Sequence, residues 1–374
     1  MPFEPMPSAP PLPMVLRSRA ALGAALSPRA GLPLTPLGAT YSMTQEASWI
    51  DADHFAVGRW DGSLSLFSFT ASPAEGPKIV RAVNGPGQEG VQMITPLPGA
   101  AAFFSSNDDG SILLWWSDDG GWSDLRLAAT LAYDPEFGVA NSGAVLEAQG
   151  RAWFVAGHAN GRVSLWGGGP DAGDWTLETV ADVRSGRPVN PWGLANVRGI
   201  AVLPPDAACG YVIAGSEDGN LTVVRVPDGQ IMAAVVYNPD AQRGINSLTA
   251  CGTVVLVANC AVGAADSNLW SFLVDPSTWS IRNTGRANLV VDPQAPQVFN
   301  FDVVWGAPGE GAMSFFCSTE EGALWMGRAA PTGALTILGF EQVTAELGSA
   351  LCFDAQRLIV AAYDLREFGV GGSA

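Results

Sequence analysis

Lysine is almost missing from this chain: Lys78 is the only one among 374 residues. The other bases are arginines, and 36 Asp and Glu outnumber 19 Lys and Arg for a formal net charge of −17. A surface this acidic repels nucleic acid and anionic lipid and favours partners that are basic, neutral or apolar. Histidine is nearly absent too. With only His54 and His158, a metal site built on several imidazoles is excluded, and a His-activated nucleophile would have to use one of these two. Cysteine is sparse and odd in number (Cys209, Cys251, Cys260, Cys317 and Cys352), with no CxxC pair, so buried reduced thiols are expected rather than a disulfide framework. No apolar run approaches the roughly 18–20 residues of a membrane span. Glu4, a series of prolines, and Arg17 and Arg19 inside the only early apolar stretch make a poor signal peptide, which points to the cytoplasm or an assembled particle. There is no GxSxG elbow and no phosphate-binding P-loop, so no catalytic residue, cofactor or metal is assigned. Scarce Lys beside abundant Ala, Gly and Arg is the mark of a high-GC coding sequence and fits a bacterial or phage source.

What is present is repetition. Ser106–Trp116 reads SNDDGSILLWW: a strand end, a tight turn at Asp109-Gly110, and a strand closing on an aromatic. The same unit returns at Arg59–Phe67, His158–Trp166, Ser216–Arg225, Ala265–Phe272 and Thr319–Met326, with a degraded copy at Ala361–Gly369. A spacing of roughly 43 to 58 residues between strand–turn–strand units indicates a propeller. The predicted fold is therefore all-β, a seven-bladed propeller of four-stranded antiparallel blades. The 44 Gly and 27 Pro supply the turns that many short strands need.

Two domains follow from composition: residues 1–30 as a Pro-rich extended arm, and 31–374 as the propeller. Pro2, Pro5, Pro7, Pro10, Pro11 and Pro13 cannot donate the hydrogen bonds that a helix or central strand requires. The seventh blade runs out of chain before its outer strand. Closure removes open edges, so an N-terminal segment, Leu32–Leu37, is expected to supply that strand, with Pro33 and Pro36 tolerated at an outer edge.

The units resemble WD-repeat propellers, whose pattern is Asp-Gly, a small polar residue, and alternating apolar residues ending in Leu-Trp. Asp109-Gly110…Leu114-Trp115 and Asn160-Gly161…Leu165-Trp166 match it. Phe67 and Phe272 replace the Trp, Arg225 and Gly327 lose it, and the Gly-His pair before the first strand is missing, Gly157-His158 standing elsewhere. The resemblance implies the propeller architecture over about 40–374 and leaves no place for that family's buried Asp–His–Ser–Trp network.

Three features bear on function. The turn acids Asp61, Asp109 and Asp218 should share one face. Their first duty is turn chemistry, and their second is a negative rim for a basic partner. A further series, Trp122, Trp175 and Trp279, opens the outer strands and is expected to pack between neighbouring outer strands. The longest connection carries Arg184, Arg187, Pro191 and Trp192, the residue types that anchor protein contacts. Polar residues at inner-strand starts (Glu46, Asn141, Asn196, Asn246 and Asn300) should line the central channel. The expected function is a non-enzymatic protein-interaction or assembly scaffold. The alternatives are a structural component of a large particle such as a phage virion or injection apparatus, with the arm contacting a neighbouring subunit, and a propeller hydrolase with a metal in the channel.

Overall fold

The computed structural model describes residues 26–28, 44–69, 78–84, 90–169, 174–184, 194–241, 243–263, 266–309, 311–343, 350–354, 357–362 and 365–370. These residues form five sheets of four strands and one of eight, all antiparallel; the only helical element among them is one 3-10 turn, Pro135–Phe137. Each sheet begins with an inner strand: Thr44–Trp49, Val91–Pro96, Ala140–Ala148, Val197–Leu203, Ile245–Cys251, Gln297–Gly309 or Ala350–Phe353. Each inner strand lies against the next, and Ala350–Phe353 lies against Thr44–Trp49, so the cycle closes on itself.

The burial pattern explains the strand sequences. Second strands such as Ala102–Asn107 and Gly210–Ser216 are buried along their whole length. A neighbouring sheet covers each of their faces, so they read as continuous apolar or small-residue runs rather than alternating ones. Outer strands face a neighbour on one side only, and Ile281–Ala287 alternates buried and exposed positions accordingly. The core is divided into clusters, each shared between two successive four-stranded runs, one of them wholly within the eight-stranded sheet. One joins Phe104 to Phe154, whose rings stack 4.0 Å apart. Another joins Phe55, Val57 and Phe67 of the first sheet to Cys352, Ile359 and Leu365 of the last. Inner strands approach closely at glycines: a Cβ on Gly199 would lie 2.8 Å from the backbone nitrogen of Leu248 in the next inner strand.

The three tryptophans of the further series pack in the core, but against rings of second strands rather than between neighbouring outer strands. Trp122 is fully buried beside Phe103 and donates its indole N–H to Asp51 of the preceding sheet at 2.7 Å. Trp175 meets Phe104 edge-on, and Trp279 lies 4.1 Å from the ring of Tyr211. Cys260, Cys317 and Cys352 are buried and free, while Cys209 and Cys251 are free and half-buried.

Two further expectations need correction. The outer strand of the last sheet is Leu26–Pro28, whose Leu26 pairs with Val370 and Pro28 with Phe368. The N-terminal closure is therefore made by residues within the stretch read as the arm; Leu32–Leu37 lies outside the described residues. Closure by an early segment was legible, but its position was not, because an outer edge accepts almost any extended segment, prolines included. The second correction concerns separate blades. Val254–Val262 runs past Asn259, where its pairing with Ile245 ends, and Cys260–Val262 pairs with Gln297–Phe299, which fuses two four-stranded runs into the eight-stranded sheet. This unit has Asp266-Ser267 where five others have Asp, Asn or Glu followed by Gly, so the strand continues and finds a new partner.

Candidate functional site

The turn acids act first on their own hairpins. Asp61 Oδ1 accepts from the backbone N–H of Ser63 at 3.0 Å and from its hydroxyl at 2.6 Å. Asp109 does the same for Ser111, at 2.9 and 2.6 Å. The following Gly62 and Gly110 take φ of 78° and 85°, a region that disfavours side chains. Asp218 departs from the expected rim. It is 2 % exposed, accepts from the Ser216 hydroxyl, and takes the Asn220 N–H at 3.2 Å. Its carboxylate turns inward because buried Ser216 and Asn220 offer donors there, so it presents no surface charge.

Connections between sheets open on the same face as these turns. Asp108, Ala159, Glu217 and Glu320, each just after a second strand, donate backbone N–H bonds to Gly90, Val139, Asn196 and Phe299 at the starts of inner strands. Of the long connection, Arg184 is described. Its guanidinium pairs with Asp182 at 3.3 Å, and its stem covers Gly161, whose missing Cβ leaves room for it. Arg187, Pro191 and Trp192 lie outside the described residues.

The channel mouth on this face is built by a device repeated in six inner strands. Each has a register shift near its start: at Thr44/Glu46, Val91/Met93, Ala140/Ser142, Val197/Gly199, Ile245/Ser247 and Asn300/Asp302. A bulge re-aims the extra side chain. The residues skipped, Gln45, Gln92, Asn141, Arg198, Asn246 and Phe301, all line one cavity of about 440 Å³. They are tied down around the mouth. Gln45 donates to Gln92 at 3.2 Å, Gln92 donates to Asp108 at 2.6 Å, and Arg198 donates to Glu217 at 2.7 Å. Phe301 stacks on Phe299 with centroids 5.9 Å apart, and Trp60, 58 % exposed, completes an aromatic side. Of these residues, Asn141 and Asn246 were legible as channel-lining positions. The others were missed; each directly follows a buried residue near the start of its inner strand.

Deeper in the channel stand two carboxyls, Glu46 and Asp302. Burial, with Asp302 beside it, holds Glu46 well above the usual carboxylate range, against one backbone hydrogen bond from Ala47 that lowers it. Burial also raises Asp302, opposed by bonds from Ser247 at 2.7 Å and the Leu351 and Val303 N–H groups at 2.8 Å. Asp302 therefore ties three inner strands together. Among the described residues, no three His, Cys, Asp or Glu gather where they could hold a metal ion. None of the described helices is long and apolar enough to cross a membrane.

The two histidines have structural partners. His54 Nδ1 lies 2.8 Å from Asp51, which also receives Trp122. The Asp–His–Ser–Trp network was expected to be absent; around His158 a network of His, Ser and Trp forms without the Asp. His158 Nε2 is 2.7 Å from the Ser164 hydroxyl, Trp166 Nε1 donates to the same hydroxyl at 2.9 Å, and His158 Nδ1 is 3.1 Å from the Gly138 carbonyl. Burial pushes the His158 pKa down to about 4, so the ring is neutral. A carbonyl only accepts, so Nδ1 carries the proton and Nε2 accepts from Ser164. A backbone carbonyl thus stands where the family pattern has an Asp, a substitution that no side-chain motif reveals. Arg59 holds the corresponding place in the first sheet and donates to Ser65 at 2.9 Å.

No family model matches the sequence, and no curated protein matches it. Among solved structures, the fold is similar to the crystal structure of the Cps50 (Swd1) β-propeller domain of Myceliophteria thermophila, at a TM-score of 0.63 and 13% identity over 89% of this chain and 98% of that one. At this identity the likeness establishes the fold alone, a β-propeller.

Proposed function

We propose that this chain is a non-enzymatic, seven-bladed scaffold for protein interaction or assembly, and that it receives its partner on the turn face, centred on the channel mouth. The observation that carries this reading is the mouth itself. Six inner strands each contribute one re-aimed side chain to it, and a Trp exposed to 58 % stands on its rim in a chain that buries most of its other large hydrophobics. Exposed aromatic anchors within a polar ring are the composition of a contact surface. Asp61 and Asp109 add negative charge on the same face, which steers a basic partner more than it holds one. Arg184, Arg187, Pro191 and Trp192, from the longest connection, extend the surface in this reading, whereas Asp218 acts only through its turn.

The test is capture of partners from a lysate of the source organism, followed by mass spectrometry, with Trp60→Ala/Phe301→Ser and Arg187→Ala/Trp192→Ala as comparison chains that melt like the parent. The expected result is stoichiometric partners for the parent and their loss in at least the first variant. Undiminished capture by both variants moves the interface to the outer wall or the opposite face. The hydrolase reading is favoured instead if one divalent ion binds per chain and Glu46→Gln abolishes that binding.

A further inference from the structure

The arm and the mouth are chemically matched, and the register places them on opposite faces. In the last sheet Ala361 pairs with Leu365 across the turn, so Leu365 marks the turn face and Val370 the opposite face. Leu26 pairs with Val370. The chain preceding Leu26 therefore leaves the ring on the face away from the mouth. Charge is divided the same way: residues before Thr44 hold one of the 36 acids, Glu4, but three of the 19 bases, Arg17, Arg19 and Arg29. Upstream of Arg17 comes Pro10-Pro11-Leu12-Pro13. Proline-rich segments dock on aromatic-lined grooves, with neighbouring arginines meeting carboxylates. The mouth offers aromatic side chains in Trp60, Phe299 and Phe301, and the rim of the same face carries the carboxylates of Asp61 and Asp109.

We propose that the segment Pro10–Arg19 of one copy docks in the channel mouth of a second copy. This rests on the mouth being a docking surface. For the arginines, reach favours a second copy over the chain's own mouth. Arg17 stands nine residues from Leu26 and extends about 30 Å at most. Reaching its own mouth means climbing a blade of about 20 Å and crossing three strand spacings, about 14 Å more, before the channel begins. A copy stacked below the exit face presents its mouth directly. The contact is heterologous, since arm meets mouth and not arm, so it does not close at a dimer and grows head to tail.

The test uses full-length chains in sedimentation velocity. The parent should show mass increasing with concentration beyond a dimer, and weakening with salt. Arg17→Glu/Arg19→Glu removes the arm's charge, while Trp60→Ala, or Gln92→Lys as a second mouth variant, removes the receptor. Each variant alone should associate at least tenfold more weakly. Mixing an arm variant with a mouth variant should restore one intact contact and give a 1:1 dimer that grows no further. A parent that stays monomeric, association that survives Arg17→Glu/Arg19→Glu, or a mixture that stays monomeric overturns the proposal. If Trp60→Ala still abolishes capture of other proteins in that case, the mouth remains a docking surface and only its occupant was wrong.

Discussion

His158 should make the protein acid-sensitive in a defined window. In the folded chain burial holds its pKa at about 4, below the ordinary imidazole value of 6.5. The unfolded chain therefore binds a proton on falling below 6.5 that the folded chain refuses until about 4. Because the unfolded state binds more protons throughout this window, stability falls as pH falls through it. Each unit is worth about 1.4 kcal/mol, so going from pH 7.5 to 5.0 should cost about 2 kcal/mol from this residue alone. His158→Phe removes the titration and also leaves the Gly138 carbonyl without its donor and the Ser164 hydroxyl without its acceptor. Buried groups left unpaired cost about 1–3 kcal/mol each, so the variant should be less stable at pH 7.5. Its further loss on acidification should nonetheless be smaller than the parent's by about 2 kcal/mol. Urea unfolding of both chains at pH 7.5, 6.5, 5.75 and 5.0 reads this difference directly, with shifts from other groups cancelling between them. Parallel profiles would refute both the neutral buried ring and the proton assignment along Gly138, His158, Ser164 and Trp166.

Other expectations concern the seam and the channel. Arg357 in the last sheet lies 4.5 Å from the ring centre of Trp49 and 4.3 Å from that of Phe69 in the first, and donates to the Ala52 carbonyl at 2.6 Å. Arg357→Ala should cost about 2–4 kcal/mol in denaturant unfolding, and Arg357→Lys should recover only part because an ammonium lacks the planar fork. A lysine variant equal to the parent would show that charge alone fastens the seam. For Glu46 the sign is opposite to that of His158. Its raised folded pKa means the folded state holds its proton longer, so this group's contribution is present below the ordinary carboxylate pKa and is lost as pH rises through the folded value. Glu46→Gln should flatten the decline of stability above pH 4.5, and an unchanged slope would place the proton elsewhere. Removing residues 1–25 keeps the Leu26–Pro28 strand and should leave the melting temperature nearly unchanged, whereas removing 1–28 should lower it by reopening the last sheet's edge. Equal melting of both deletions would mean that this strand adds nothing to closure.

The sequence by itself determined the repeat and hence the architecture, because Asp-Gly turns and period-2 alternation are local. Ser63 and Ser111 need only the Asp two positions earlier to fix their hairpins, and the strands His54–Arg59 and Ser63–Ser68 fall where that pattern puts them. It also determined the charge and the outward shape of the composition. Tertiary structure alone decided which residues meet. Gln45, Gln92, Asn141, Arg198, Asn246 and Phe301 are far apart in sequence, and only ring closure brings their bulges around one mouth. The inward turn of Asp218, the carbonyl that replaces an acid beside His158, and the choice of Leu26–Pro28 as the closing strand were equally hidden. The last two depend on partners supplied by distant backbone, which is the same whatever side chain the sequence spells, and Asp218 turns inward on Ser216 and Asn220 only because packing buries them.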